Sequence, residues 1–360
     1  MEFGAASMNA RHGIGRAIVC GGIAAGLLAL SACAGSSVAH LTTYQAQSPH
    51  NAIPIDKNEL LHPAHKYFGV FVPGAPDTIT SVTDTTNPSS VTSETGKQPN
   101  LDLYFQDWGK LAETDAPGQT NFDTTGASNA CAQGMLPMLT WESWDTTDIS
   151  QTLPVGGAAY DQPNFSLYNI IHGKFDAYIR ATADAIKALP CPLAMRLDQE
   201  PNGYWYPWGL NTNWTSDPNA AMDKATPARY AVMWRHVWRI FQAEGATNVL
   251  WVWSPNFVIH APKPGATTLA QSYPGNGYVD WVGIDGYYYN NASLTFASMF
   301  NLTTEQLKTF ASSKPWLIAE TGVGGISLTA NDEAKQVADL LNTVASRARF
   351  NGLIYFDKGN

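Results

Sequence analysis

The sequence predicts an α/β fold, a single-domain TIM barrel of type (β/α)8 with parallel strands inside and helices outside. Three observations carry that prediction. Short apolar runs alternate with helical stripes along the chain. The runs are too continuously apolar for a sheet with one wet face, as strands covered on both sides are. Several of them end in an acidic or aromatic residue that opens into a loop, which is where a β/α barrel presents its functional groups. The chain has 360 residues, 44% hydrophobic and 14% charged, enough for one large core, since such a barrel takes about 250 residues.

The N-terminus has the pattern of a targeting segment. Arg11 and Arg16 precede an apolar stretch over residues 17–30, and Leu30-Ser31-Ala32-Cys33 follows. The stretch is shorter than the roughly 20 apolar residues of a spanning helix. Leu-Ser-Ala-Cys resembles a bacterial lipobox, in which Cys33 becomes the lipidated first residue; cleavage after Ala39 with no anchor is the alternative. Residues 1–33 are therefore read as signal peptide with lipobox, 34–65 as a polar tether and 66–360 as the barrel. Export is expected, with membrane attachment only through a lipid on Cys33.

The first strand is 67–72 (YFGVFV), closed by Pro73-Gly74, and a helix is expected within the Thr-, Ser- and Pro-rich residues 75–100. Residues 101–108 (LDLYFQDW) and 135–141 (MLPMLTW) are strands two and three, ending in Asp107-Trp108 and Trp141-Glu142. Ile171, Phe175, Tyr178, Ile179, Ile186 and Leu189 form one helical stripe over 168–189, stopped by Pro190. Strand four, 193–200, is followed by a helix with Thr226 as N-cap, Pro227 in its first turn and Gly245 at its end. Strand five is 248–253 (NVLWVW) and strand six 279–287 (VDWVGIDGY). A helix is expected to begin near Thr303 and run to about Phe310, ahead of strand seven within 314–322 (KPWLIAETG). The next helix, 331–349, carries Asp332 and Glu333 in its first turn and Arg347 and Arg349 in its last, matched to the dipole. Strand eight is 352–356 (GLIYF), and no eighth helix follows before Asn360. Either residues 40–65 cover that side, or the sequence is truncated.

Composition narrows the function. Net charge is −9 and no run of Lys or Arg tracks a polyanion, so nucleic acid is not an expected partner. His62, His65, His172, His236 and His260 lack metal-ligand spacing, and no phosphate loop or dinucleotide fingerprint is present. No metal and no cofactor are expected. Twelve Trp and fifteen Tyr suit either sugar-stacking faces or a large aromatic core. Cys131 and Cys191 each stand just ahead of a strand. If those strands are neighbours, both thiols lie at the bottom rim, where export favours a disulfide; two free buried thiols are the alternative.

Two stretches have the design of an active face. Residues 196–209 (RLDQEPNGYWYPWG) take Glu200 from a strand end into an aromatic loop, and KPWLIAETG delivers Glu320 into a Gly-containing loop. Two carboxyl groups about 5–5.5 Å apart are what retaining glycoside hydrolysis needs, one protonated and one ionised. Alternation along strand four puts Arg196, Asp198 and Glu200 on one face. Arg196 would there hold a neighbouring carboxylate ionised, or serve a buried structural ion pair. Trp141, Glu142, Trp208, Trp253, Asn256 and Asp285, at strand ends or in adjoining loops, are further candidates for sugar contact, core or supporting roles.

RLDQEPNGYWYPWG, residues 246–256 (ATNVLWVWSPN), residues 273–287 (YPGNGYVDWVGIDGY), KPWLIAETG and Gly173-Lys174-Phe175-Asp176 together resemble glycoside hydrolase family 26, in the family's order over about 68–356. The resemblance implies a (β/α)8 barrel, a retaining mechanism and mostly β-mannanase activity, with some mixed-linkage β-glucanases and β-1,3-xylanases. It implies Glu200 as acid/base and Glu320 as nucleophile. It also implies Tyr287 as the tyrosine that hydrogen-bonds the nucleophile, and Trp205 as an aromatic lining the cleft. Gln199 stands where the family has a sugar-contacting His, Pro201 where it has Met, and Phe356 where many members have Trp. These departures leave the sugar preference open. The expected function is endo-acting cleavage of β-1,4-linked mannan-type polysaccharide by double displacement. Mixed-linkage or β-1,4-glucan is the alternative substrate, and a non-catalytic carbohydrate-binding surface lipoprotein is the alternative of another class.

Overall fold

Eight apolar runs pair edge to edge, all in parallel, into a closed barrel. In the computed structural model, which describes residues 57–71, 92, 96–148, 162–210, 225–260 and 268–356, the strands are β1 (Tyr67–Phe71), β2 (Leu101–Asp107), β3 (Leu136–Glu142), β4 (Leu193–Leu197), β5 (Val249–Trp253), β6 (Trp281–Asp285), β8 (Trp316–Thr321) and β10 (Phe350–Phe356). They neighbour one another in chain order, and β10 closes on β1. Two short strands, β7 (Tyr288–Tyr289) and β9 (Val323–Gly324), pair above the rim and tie together the loops that follow β6 and β8. The helices are α1 (Lys57–Leu61), α2 (Gly109–Thr114), α3 (Thr124–Ala132), α4 (Leu167–Ile171), α5 (Asp176–Lys187), α6 (Pro227–Ala243), α7 (Leu269–Ser272), α8 (Phe296–Phe310) and α9 (Ala330–Ser346).

The period of two in each strand sorts the core into two parts. Leu101, Leu103, Leu136, Met138, Leu250 and Leu317 fill the barrel, while Tyr104, Leu139, Trp141, Leu197, Trp251 and Trp253 face the helices. Both faces are buried, which is why the runs read as continuously apolar. The barrel closes tightly at one point. A Cβ on Gly352 would lie 2.0 Å from the Tyr67 carbonyl oxygen, so β10 approaches β1 only with glycine there.

Several expected boundaries shift, for local reasons. The stripe over 168–189 is two helices, because Gly173 (φ +85°) breaks the chain between α4 and α5. Helix α8 starts at Phe296 rather than near Thr303, with Thr295 and Ser298 forming a capping box. Helix α9 ends at Ser346, so Arg347 and Arg349 lie beyond its last turn. Within the stretch expected to be a polar tether, residues 57–61 form a helix. Helix α1 lies at the barrel floor, burying Leu60 in the inner core, pairing Lys57 with Asp280 at 2.6 Å and taking a hydrogen bond from Asn351 on the Leu61 carbonyl. Cys131 and Cys191 are joined by a disulfide with Cα atoms 5.9 Å apart, linking the end of α3 to the entry of β4. The helix expected within 75–100 falls almost wholly outside the described residues, and the targeting segment with Cys33 wholly so.

Candidate active site

Arg196, fully buried on the inner face of β4, organises the open end of the barrel. Its Nε donates to Thr140 Oγ1 at 2.9 Å, its Nη1 to Asp285 Oδ1 at 3.2 Å and its Nη2 to Glu320 Oε1. The guanidinium lies 5.5 Å from the Phe105 ring centre. Burial alone would lower its pKa, but the charges of Glu320 and Asp285 outweigh that and hold it protonated. Asp285 in turn accepts from Ser254 Oγ at 2.8 Å. The second Glu320 oxygen accepts from the Tyr287 hydroxyl at 2.7 Å.

Glu200 sits in a different environment. Strand β4 ends at Leu197, and the chain then takes left-handed backbone at Asp198 (φ +43°) and Glu200 (φ +53°). Non-glycine residues are uncommon there, and such strain collects at functional sites. Simple alternation from Arg196 to Glu200 therefore fails after Leu197. Asp198 instead accepts from the Ser143 backbone N–H at 2.8 Å and the Ser143 hydroxyl at 2.7 Å, and its carbonyl accepts from the Tyr230 hydroxyl. Glu200 accepts from Asn256 Nδ2 and Trp205 Nε1, both at 2.6 Å. Among the described residues no cation touches it. Burial first, and then the Glu320 charge, raise its pKa to about 7. The two glutamates thus share one site with contrasting partners, a cation for Glu320 and uncharged donors for Glu200.

The loops after β4 and β5 hold this arrangement. The Asn202 side chain holds the Asn256 backbone at both ends, donating Nδ2 to its carbonyl and accepting at Oδ1 from its N–H, each at 2.8 Å. Trp208 is buried and donates its indole N–H to the Gln199 carbonyl at 2.7 Å, while Tyr206 stacks on it at 4.5 Å between ring centres. Trp205 is half-buried, and Gly203 beneath it has no room for a Cβ, which would meet the indole at 2.6 Å. Phe356 packs inside the barrel, edge-on to Tyr287 and against Phe71 and Phe105, so it supports the tyrosine from below.

Two expected sugar contacts are corrected. Trp141 and Trp253 turn outward from the barrel wall. Trp141 packs on Trp108, Tyr178 and Phe241, and Trp253 on Tyr273 and Phe310. Both belong to the core between strands and helices, one residue out of phase with the inner face. Gln199, expected to meet sugar, is fully buried and donates Nε2 to Glu142 Oε1 at 2.6 Å. Tyr206, Thr140 and Ser254 enter the site without having been singled out in the sequence. Tyr206 lay within the aromatic tail, and Thr140 is two residues before Glu142, on the same strand face. Among the described residues, no group of three or more His, Cys, Asp or Glu is arranged to hold a metal ion.

Known proteins share this architecture. The profile of glycosyl hydrolase family 26 matches residues 81–325. Over 228 residues the chain is 29% identical to Endoglucanase H of Acetivibrio thermocellus, covering 61% of this chain and 21% of that one. Over 256 residues it is 26% identical to a mannan endo-1,4-beta-mannosidase of Bacillus subtilis, covering 67% of this chain and 62% of that one. It therefore spans about a fifth of the first relative and under two thirds of the second. Two solved structures share the fold. The family 26 domain of a Prevotella bryantii endo-beta-mannanase/endo-beta-glucanase superposes with TM-score 0.54 at 18% identity, over 83% of this chain and 86% of that one. A Bacillus subtilis mannanase does so with TM-score 0.52 at 18% identity, over 81% and 79%. The profile match runs from ahead of β2 to the end of β9 and takes in Arg196, Glu200, Tyr287 and Glu320, so the chain belongs to glycosyl hydrolase family 26.

Proposed function

We propose that the chain is an endo-acting, retaining glycoside hydrolase that cleaves β-1,4-linked mannan-type polysaccharide. The observation that carries the proposal is the unequal setting of two strand-end carboxyl groups. Glu200, with a pKa of about 7 and only uncharged donors, suits a proton donor; Glu320, paired with Arg196 and Tyr287, suits a nucleophile. Glu200 donates its proton to the glycosidic oxygen as the bond to the anomeric carbon breaks, and Glu320 forms the glycosyl-enzyme. Glu200, now ionised, takes a proton from the incoming water, whose oxygen displaces Glu320. Trp205 and Tyr206, both half-buried in the loop after β4, offer aromatic surface to the sugar chain. Mannan is preferred because the Bacillus subtilis relative bears that activity in its name. A β-1,4- or mixed-linkage glucan is the second reading, favoured by the Endoglucanase H match and by Gln199 in the slot where the family resemblance leads one to expect histidine. A binding-only role is disfavoured because both carboxyl groups are present and partnered.

Reducing-sugar release from mannan, glucomannan, lichenan, xylans and carboxymethylcellulose tests the substrate. Glu320→Ala is expected to abolish turnover, with azide partly restoring it as the glycosyl azide of inverted configuration. Unchanged hydrolysis in that variant would remove Glu320 from its role.

A further inference from the structure

A third carboxyl group opens onto the same cleft. Glu142, the last residue of β3, keeps 4% of its surface exposed, against 7% for Glu200 and 6% for Glu320. Gln199, Arg196, Asp198 and Asp285 keep none. Among these polar side chains only the three glutamates keep any exposed surface, and Gln199 is bonded to one of them. Its Nε2 donates to Glu142 Oε1 at 2.6 Å, and Trp144 Nε1 donates to Glu142 Oε2 at 3.2 Å. Each carboxylate oxygen has a further lone pair beyond these bonds. The amide orientation is fixed by Glu142 as acceptor, which leaves Gln199 Oε1 with no hydrogen-bond partner among the described residues. Glu142 is bonded to Gln199, the chain neighbour of Glu200, and shares its strand face with Thr140, which accepts from the same Arg196 that binds Glu320.

From this arrangement we infer that Glu142 is a substrate-binding residue, its carboxylate accepting hydrogen bonds from hydroxyl groups of the sugar held between Glu200 and Glu320, and that Gln199 is its positioning residue. The inference rests on the hydrolase reading and names a contact that reading does not use. A carboxylate accepting from sugar hydroxyls makes charge-assisted bonds, stronger than those of an amide in the same place. The groups facing Glu142 are Gln199 and Arg196 from β4 and its loop, Trp144 from its own loop, Glu320 from β8 and Tyr206 from the loop after β4. Burial raises its pKa to about 7; the Gln199 and Trp144 bonds and the Arg196 charge oppose that rise, and the Glu320 charge adds to it. Sugar hydroxyls prefer the ionised form, so affinity weakens as pH falls through about 7.

The test compares wild type, Glu142→Gln and Gln199→Leu on whichever glycan of the panel the wild type turns over fastest, with thermal midpoints recorded for each. Glu142→Gln is expected to raise KM about tenfold or more with kcat within about threefold, and to flatten the rise of KM below pH 7. Gln199→Leu is expected to show a smaller rise in KM. A KM for Glu142→Gln within twofold of wild type, or a KM–pH profile unchanged in shape, overturns the inference even if the thermal midpoint drops. If no glycan is turned over, Kd from titration calorimetry with the matching oligosaccharides replaces KM. Glu142-dependent binding without turnover sinks the hydrolase reading alone; turnover with unchanged KM sinks the inference alone; no binding at all sinks both.

Discussion

Arg196 brings one positive charge into a space that also holds Glu142, Glu200, Asp285 and Glu320. Four carboxyl groups cannot all ionise cheaply around one guanidinium in a buried site, so protons stay bound near neutrality. Glu200 is raised to about 7 because burial and Glu320 both disfavour its charge. A proton donor must begin protonated, so kcat/KM for the free enzyme is expected to fall as pH rises through about 7. That limb should disappear in Glu200→Gln, whose residual rate on polysaccharide is expected to be lower by about 10²–10⁴-fold. A pH–rate profile measured for both proteins checks this. The glutamate pair was legible in the sequence because each ends an apolar run and enters a loop. The hub was only half legible. Arg196 stood out, but Thr140 and Ser254 look like ordinary strand-end polar residues. Trp141 and Trp253 misled because a one-residue change of phase moves a side chain from cleft to outer core, and tryptophan is at home in both.

At the scale of the element, the end of β4 departs furthest from pattern. Left-handed backbone at Asp198 and Glu200 turns the acid/base candidate away from the strand's alternation, and a period of two has no means of registering it. The helices show a related limit. The stripe over 168–189 was real, but Gly173 cuts it, and the start of α8 lay in capping chemistry at Thr295 rather than in apolar spacing. The strands themselves were legible throughout, since burial on both faces marks each as a continuous apolar run. Closure between β10 and β1 depends on Gly352, whose missing Cβ leaves room for the Tyr67 backbone. Gly352→Ala is expected to cost about 3 kcal/mol or to prevent folding. Comparison of thermal midpoints and soluble yield with wild type would show it, and an unchanged midpoint would mean the seam relaxes freely.

For the molecule as a whole, the chemistry gathers at one end of the barrel and the fastening at the other. The Cys131–Cys191 bond closes a loop with sequence separation 60, which in the chain-entropy account stabilises by about 4 kcal/mol. Replacing both cysteines with serine is expected to lower the thermal midpoint by roughly 10 °C while leaving KM on the preferred glycan unchanged. A fall in midpoint accompanied by a changed KM would show that the two ends communicate. The floor was the least legible part of the architecture, because α1 is only five residues long and lies in a stretch whose polar composition reads as linker. Leu60 nonetheless seals the inner core from below, fastened by Lys57 to Asp280 and by the Leu61 carbonyl to Asn351. Anyone trimming the gene to begin at the first stave would thus remove a stopper, and the recombinant product would reach the purification column with greasy side chains wetted from beneath.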